Sequence, residues 1–273
     1  MRKVWLTIAA LALVTGACGG TDEEPPASAI GATASSSASP EATPFEAAEV
    51  SSFPAFSREE LIAMSEPVKV RAAEGVRIAG RLFGSGEVGV ILDHMGAGDQ
   101  SQWFEFAGQL AKQGYLVLTY DRRGSCPGGE LGCSSGTDDG DGWRDLAFLA
   151  DFLRGEGAER VVVGGASQGA MESLYALSEG LDADGLIWVA GVDLYNGVPL
   201  SEQVADVRVP KLFISGDADG EAAATLDEFE TAPPPSEIVR LDTGEHGTNI
   251  LAYAPVAVAD KFRQSVVDFL ETI

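Results

Sequence analysis

A serine between two glycines is the first candidate for chemistry in this sequence. Ser167 lies in Gly165-Ala166-Ser167-Gln168-Gly169, directly after an apolar β-branched run and directly before a segment of helical period. A strand, a tight turn and a helix in that order present the serine at the helix N-terminus, where free backbone amides favour developing negative charge. Such a turn is strained and requires small residues two positions before and after the serine, a condition that both glycines meet. Ser167 is therefore a candidate nucleophile, and a serine that merely caps a helix is the alternative.

Two other glycine-rich matches lack this context. Residues 132–136 repeat the Gly-x-Ser-x-Gly pattern with no strand before them and no helix directly after them, a chance match in a chain with 33 glycines. Residues 84–89 fit Gly-x-Gly-x-x-Gly, but they precede a strand instead of opening a helix. Neither match indicates a nucleophile or a dinucleotide-binding loop.

A serine is a weak nucleophile unless a base removes its proton, and histidine suits that task near neutral pH. The chain has two histidines, His94 and His246. His246 follows the last predicted strand and precedes the final predicted helix, which makes it the candidate base.

A carboxylate must orient that imidazole, and two aspartates are candidates. Asp217 and Asp219 lie in one turn after the preceding strand, and both can reach the histidine from there. The order serine, aspartate, histidine differs from the order in chymotrypsin-like and subtilisin-like enzymes.

The elements that position these residues follow from the pattern of apolar runs. Eight short runs predict strands: Val68–Val70, Val76–Phe83, Val88–Asp93, Leu116–Tyr120, Arg160–Gly164, Gly185–Val189, Lys211–Ser215 and Glu237–Leu241. Five segments predict helices: Trp103–Gln113, Trp143–Arg154, Gln168–Ser178, Ala222–Phe229 and Val256–Leu270. This alternation predicts an α/β fold with a mostly parallel central sheet of about eight strands, helices on both faces, and an antiparallel start.

The sequence resembles the α/β-hydrolase superfamily over about Val68 to Ile273. The resemblance rests on the turn around Ser167 and on four further landmarks: Asp93-His94-Met95-Gly96 with Trp103 nine residues after the histidine, the run Gly114–Gly124, Val209-Pro210-Lys211 leading into Gly216–Asp219, and Gly244-Glu245-His246-Gly247. The superfamily carries its acid three residues after the glycine that ends the seventh strand, which favours Asp219 over Asp217. Some relatives place the acid after the sixth strand, which makes Asp193 a third candidate. The resemblance thus implies a triad of Ser167, Asp219 and His246.

The resemblance also implies an oxyanion hole made of backbone amides. The first amide is that of Gln168, the residue after the nucleophile, and the second comes from the loop after the third strand. Many relatives have His-Gly in that loop, whereas this chain has His94-Met95-Gly96. Met95 and Gly96 are therefore both candidates, and we favour Met95. His94 matches a histidine that is normally structural in the superfamily.

The implied reaction is acyl transfer to water through an acyl-enzyme on Ser167, with no cofactor and no metal ion. Only about 20 residues, 190–209, are available for a lid after the sixth strand. We therefore expect an open pocket and a small-molecule ester substrate, as in dienelactone-hydrolase-like or carboxylesterase-like members. A serine peptidase or thioesterase with the same triad is an alternative, and so is a non-catalytic binding protein of hydrolase fold.

The N-terminus has the pattern of an export signal. Residues 1–17 begin with Arg2 and Lys3 and continue as an apolar run that is shorter than the about 20 residues needed to span a bilayer. Val14-Thr15-Gly16-Ala17-Cys18 resembles the lipobox of bacterial lipoproteins, which implies a lipid on Cys18. Residues 18–44 are rich in Ala, Ser, Thr, Pro and acidic residues and predict a disordered tether. Residues 45–273 then form the hydrolase domain, anchored outside the cytoplasm of a bacterial cell or secreted.

Export changes the expected state of the two remaining cysteines. An oxidising compartment allows Cys126 and Cys133, seven positions apart in a glycine-rich loop, to form a disulfide, with two unpaired thiols as the alternative. The formal net charge of −24 disfavours nucleic acids and anionic membrane surfaces as partners. We therefore expect membrane contact only through the lipid anchor.

Overall fold

An eight-stranded β-sheet organises residues 49–273, which are the residues described by the computed structural model. The strands along the chain are β1 (Ser65–Arg71), β2 (Arg77–Gly84), β3 (Val88–Asp93), β4 (Leu116–Tyr120), β5 (Arg160–Ala166), β6 (Gly185–Val189), β7 (Leu194–Tyr195), β8 (Val198–Pro199), β9 (Lys211–Gly216) and β10 (Ser236–Leu241). In space the large sheet has the order β1-β2-β4-β3-β5-β6-β9-β10, and β7 and β8 form a separate hairpin.

The sheet is parallel except around one strand. β2 runs antiparallel to both of its neighbours, β1 and β4, and every other pairing in the large sheet is parallel. The predicted α/β fold, its number of strands and its antiparallel start are thus confirmed. The β7–β8 hairpin was not predicted, because two-residue strands are too short to show a period.

Helices cover both faces of the sheet. They are α1 (Arg58–Ala63), α2 (Phe104–Lys112), α3 (Asp145–Gly155), α4 (Gln168–Ser178), α5 (Leu200–Gln203), α6 (Gly220–Glu228), α7 (Asn249–Tyr253) and α8 (Val256–Leu270). The five predicted helices correspond to α2, α3, α4, α6 and α8. Short 3₁₀ turns precede α2 and α3, which therefore begin one and two residues later than predicted.

The central strands are apolar at nearly every position because both of their faces are buried. In β5, Val161 and Val163 face the hydrophobic cluster that includes α3 and α4, whereas Val162 faces the cluster that includes α2 and α8. Each strand therefore contributes to two cores, one on each face of the sheet. The two clusters contain about equal numbers of buried apolar side chains.

The loops that follow β3, β5, β9 and β10 open at one edge of the sheet, because these strands run parallel. In open α/β sheets this carboxyl edge is where ligands bind. His94, Ser167, Asp219 and His246 all lie in these loops or directly after them. The topology therefore brings together residues that are up to 152 positions apart in the sequence.

The predicted signal segment, Cys18 and the predicted tether up to residue 44 lie outside the described residues. The described part begins with a segment fixed to α8, since the hydroxyls of Ser51 and Ser52 and the backbone N–H of Ser52 donate to the carboxylate of Asp260. Between residues 49 and 273, no helix has the length and apolar character needed to cross a membrane.

Candidate active site

Ser167 occupies a strained turn between β5 and α4. Its φ of 54° and ψ of −116° lie outside the regions that residues with a side chain prefer, at a cost of about 1–3 kcal/mol. A Cβ on Gly165 would lie 2.6 Å from the carbonyl carbon of Gly169, and a Cβ on Gly169 would lie 2.7 Å from the carbonyl oxygen of Asp93. The close backbone contacts leave no room for a side chain at either position. This explains why the motif has glycine at both.

The turn leaves one backbone amide available. The N–H of Ser167 donates to the carbonyl of Val189 at 2.8 Å, which ties the turn to β6. The carbonyl of Ser167 accepts from Ala170 and Met171 in the first turn of α4. The N–H of Gln168 has no partner among the described residues, so it is free to bind an oxyanion.

His246 and Asp219 form a hydrogen-bonded pair. The Nδ1 of His246 lies 2.9 Å and 3.1 Å from the two carboxylate oxygens of Asp219, which lies in the turn between β9 and α6. Burial raises the pKa of Asp219, and the hydrogen bonds with His246 counteract part of that rise. The carboxylate therefore holds the imidazole with its Nε2 directed away from the pair.

The structure does not bring the two other candidate acids to His246. Asp217 is half exposed, and its nearest cation is Arg240 at 4.0 Å. Asp193 accepts from the backbone N–H of Ser201 at 2.6 Å and so fixes the start of α5. Of the three aspartates, Asp219 is the one in contact with the histidine.

The loop that carries His246 packs against the Ser167 turn. A Cβ on Gly247 would lie 3.3 Å from the Cβ of Ala166 and 2.5 Å from the sulfur of Met95, so the two loops are in direct contact. Within residues 49–273, the Ser167 hydroxyl makes no hydrogen bond, to His246 or to any other residue. Catalytic hydrogen bonds are often long in ligand-free structures and shorten when the substrate binds.

The second oxyanion donor is better placed at Gly96 than at Met95. The N–H of Met95, which we favoured from the sequence, donates to the side-chain oxygen of Gln102 at 3.0 Å. The N–H of Gly96 has no partner in the described part of the chain, and Gly96 lies against the side chain of Gln168. The hydrogen-bond acceptor that engages the N–H of Met95 belongs to Gln102, seven residues downstream, and the motif does not predict it.

Comparison with known proteins identifies the family. A sequence model of the alpha/beta hydrolase family matches residues 90–268, about two thirds of the chain. The chain belongs to the alpha/beta hydrolase family. No curated protein matches this hydrolase in sequence.

Solved structures resemble this hydrolase in fold. An esterase of Pyrococcus furiosus matches with a TM-score of 0.64 and 18% identity, over 82% of this chain and 97% of that one. A predicted CIB-like hydrolase of Thermoplasma acidophilum matches with a TM-score of 0.61 and 21% identity, over 77% and 99%. An enol-lactonase of Burkholderia xenovorans matches with a TM-score of 0.60 and 18% identity, over 75% and 100%. At these identities the likeness shows the fold alone.

A buried arginine holds the loop after β3 in this hydrolase. Arg122 donates to the carbonyl of His94 at 2.6 Å, to the carbonyl of Met95 at 2.9 Å and to the carboxylate of Asp93 at 2.9 Å. His94 is buried, and its Nε2 accepts from the backbone N–H of Arg122. His94 thus makes structural contacts, as expected. No catalytic motif in the sequence includes Arg122, although an arginine next to an apolar strand is a signal of a buried ion pair.

A buried carboxyl lies under the turn. Glu172, one turn into α4, is fully buried, and one of its oxygens accepts from the side-chain amide of Gln168 at 2.7 Å. Its other oxygen has no partner among the described side chains. Burial and the neighbouring Asp93 raise the pKa of Glu172 well above its ordinary value, because both disfavour the ionised form. Nothing in the sequence pattern singled out this residue.

Proposed function

We propose that this protein is a serine hydrolase that cleaves small or exposed carboxylic esters through an acyl-enzyme on Ser167. The observation that carries the proposal is the hydrogen-bonded pair of Asp219 and His246 beside the strained Ser167 turn. This combination supplies a positioned nucleophile, a base and a group that orients the base. The names of two structural neighbours, an esterase and an enol-lactonase, agree with ester substrates.

In the proposed reaction, His246 removes the proton of Ser167 as the hydroxyl oxygen attacks the ester carbonyl. The backbone amides of Gln168 and Gly96 stabilise the oxyanion of the tetrahedral intermediate. His246 then returns the proton to the leaving alcohol, and the acyl group stays on Ser167. A water molecule, deprotonated by His246, releases the acid and restores the enzyme.

The short segment after β6 supports a small or exposed substrate. Between Val189 and Lys211 the chain forms the β7–β8 hairpin, α5 and one 3₁₀ turn, which is too little to close over a long acyl chain. The turn of this hairpin is bound to the loop before α3, since the side chain of Asn196 donates to the carbonyl of Gly140 at 2.7 Å. We therefore favour an open site over an interfacially activated lipase.

We further propose that the enzyme works outside the cytoplasm, attached through a lipid on Cys18. Two features support this location: the signal-like residues 1–17, and the disulfide between Cys126 and Cys133, a bond typical of oxidising compartments. Mass spectrometry of the protein from a membrane fraction should find a diacylglyceryl group on an N-terminal Cys18. An intact residue 1–17 segment or an unmodified Cys18 would contradict this location.

A fluorophosphonate probe tests the nucleophile. The probe should label the wild-type protein on Ser167, and the label should be absent from Ser167→Ala. Ser178→Ala, which removes a hydroxyl at the far end of the same helix, is the matched control and should be labelled like the wild type. Labelling that persists in Ser167→Ala would refute the assignment.

A substrate panel tests the reaction class. We expect hydrolysis of 4-nitrophenyl acetate and butyrate and no hydrolysis of aminoacyl anilides. Preference for the anilides would indicate a peptidase, and preference for acyl thioesters over matched oxygen esters would indicate a thioesterase. Labelling of Ser167 without turnover of any of these substrates would indicate a different substrate class for the same nucleophile.

A further inference from the structure

A cavity of about 470 Å³ lies beside the proposed oxyanion hole. Gly96 forms part of its wall, and so does Asp138, whose carboxylate accepts from the side-chain amide of Gln168 at 3.3 Å. An ester whose carbonyl oxygen binds the amides of Gln168 and Gly96 would therefore extend one of its substituents over Gly96 into this cavity. The size is within the range of small-molecule sites.

The lining of this cavity is polar, in contrast to most ligand sites. It consists of glycine backbone, charged side chains, His94 and two residues with hydroxyl groups, Ser125 and Thr137. No purely hydrocarbon side chain takes part. An alkyl chain would gain little from entering, because burial of apolar surface against apolar side chains is what stabilises such a ligand.

The wall formed by residues 124–138 is fixed by several bonds. The disulfide between Cys126 and Cys133 closes the loop. The hydroxyl of Ser134 donates to the carbonyl of Asp121 at 2.6 Å and accepts from the N–H of Ala79 at 2.8 Å. Ser135 is paired with the backbone of Arg77 in both directions. The polar groups of the wall are thus held in place before a ligand binds.

The charges around the cavity compensate one another. Arg122 is paired with Asp93 at 2.9 Å, and Arg123 is paired with Asp145 at 2.6 Å. Neither arginine is left without a carboxylate partner, so an anionic substrate gains no unpaired cation, and Asp138 is itself 3.9 Å from Arg122. By contrast, the hydroxyls of Ser125 and Thr137 have no partner among the described residues. The groups available to a ligand are thus these two hydroxyls and the partly exposed carboxylate of Asp138, which can hydrogen-bond to ligand hydroxyls but would repel an anion.

We propose that this cavity binds a neutral, hydroxyl-rich part of the substrate, such as a sugar ring or another polyol, in the ester hydrolysis proposed above. The hydroxyls of Ser125 and Thr137 bind hydroxyl groups of the ligand, and Gly96 and Gly124 leave room for its ring. The inference rests on the proposed hydrolase function and specifies its substrate class.

Two acetates of matched shape test the proposal. Methyl glucoside acetylated on its primary hydroxyl and cyclohexylmethyl acetate share the acyl group and a six-membered ring, and they differ in the ring hydroxyls. We expect kcat/KM for the glucoside to exceed that for the cyclohexyl ester by about tenfold or more, the effect of two to three hydrogen bonds. Thr137→Val combined with Ser125→Ala should reduce this ratio by about tenfold.

The ratio separates specificity from stability, because loss of folded enzyme lowers both rates equally. Thr231→Val, an exposed threonine outside the cavity lining, is the control and should leave the ratio unchanged. Equal rates for the two acetates, a preference for the cyclohexyl ester, or an unchanged ratio in the double variant would overturn the proposal. Failure of the proposed function is a different result: no label on Ser167 and no hydrolysis of 4-nitrophenyl acetate.

Discussion

Two groups of ionisable side chains lie next to the Ser167 turn, and they differ in their access to water. The pair of His246 and Asp219 is partly open, with side chains 38% and 11% exposed. Asp93, Arg122 and Glu172 are closed off, with side chains 0%, 4% and 0% exposed. The open pair can exchange protons with substrate and water, whereas the closed group cannot change its charge without a large desolvation cost.

This difference suits the two groups to two tasks around Ser167, the proposed nucleophile. The open pair is suited to proton transfer, because its carboxylate orients the histidine while the ring stays accessible. The closed group is suited to positioning, because Arg122 binds the carbonyls of His94 and Met95 and Glu172 binds the side chain of Gln168. Of the two proposed oxyanion donors, Gln168 contacts this closed group directly, and Gly96 follows Met95, whose carbonyl Arg122 binds.

The largest effect should come from breaking the open pair. Asp219→Asn should lower kcat for 4-nitrophenyl acetate by about 10⁴-fold, because the amide no longer holds the reactive tautomer of His246. Asp217→Asn, a matched change in the same turn on an exposed side chain, should change kcat by less than about twofold. A large loss in Asp217→Asn with an active Asp219→Asn would reverse the assignment of the acid.

Substitution in the closed group should first lower the stability of the folded protein. Arg122→Met leaves the buried carboxylate of Asp93 without its cation and should lower the free energy of unfolding by about 3–5 kcal/mol. Arg144→Met removes an exposed arginine that lies 3.2 Å from Asp141, and should cost less than about 1 kcal/mol. Urea unfolding followed by tryptophan fluorescence measures both. Equal effects of the two variants would mean that burial does not distinguish the two arginines.

The effect with the clearest pH dependence concerns Glu172. A carboxyl whose pKa is raised by folding stabilises the protein fully below its ordinary pKa of about 4.3, and that stability is lost as the pH rises through the folded pKa. Glu172→Gln keeps the shape and removes the ionisation. The variant should therefore gain stability over the wild type as the pH rises above about 4.3, by at most about 1.4 kcal/mol per pH unit.

Unfolding by urea at several pH values measures this gain. Glu179→Gln, on the exposed end of the same helix, is the control for loss of a carboxylate. A difference between Glu172→Gln and the wild type that stays constant with pH would show that Glu172 is ionised equally in the folded and unfolded protein.

Much of the fold could be predicted from the sequence because its central strands are long apolar runs. The strand Leu116–Tyr120 was predicted without error in its bounds, and the helices Gln168–Ser178 and Val256–Leu270 likewise match α4 and α8. The short helices α1, α5 and α7 and the β7–β8 hairpin were missed. A helix shorter than two turns, or a strand of two residues, is too short to show a period that repeats.

The sequence by itself determined the α/β class and the positions of Ser167, His246 and the candidate acids, because strand runs, glycine spacing and chain order are local or ordinal properties. Only the tertiary structure decided which aspartate contacts His246, which amide after β3 is free, and that Arg122 and Glu172 meet beneath the turn. These are contacts between loops and helices far apart in the chain. Which of these contacts form depends on packing and on competing hydrogen bonds, such as that from Met95 to Gln102. No local sequence pattern predicts these interactions.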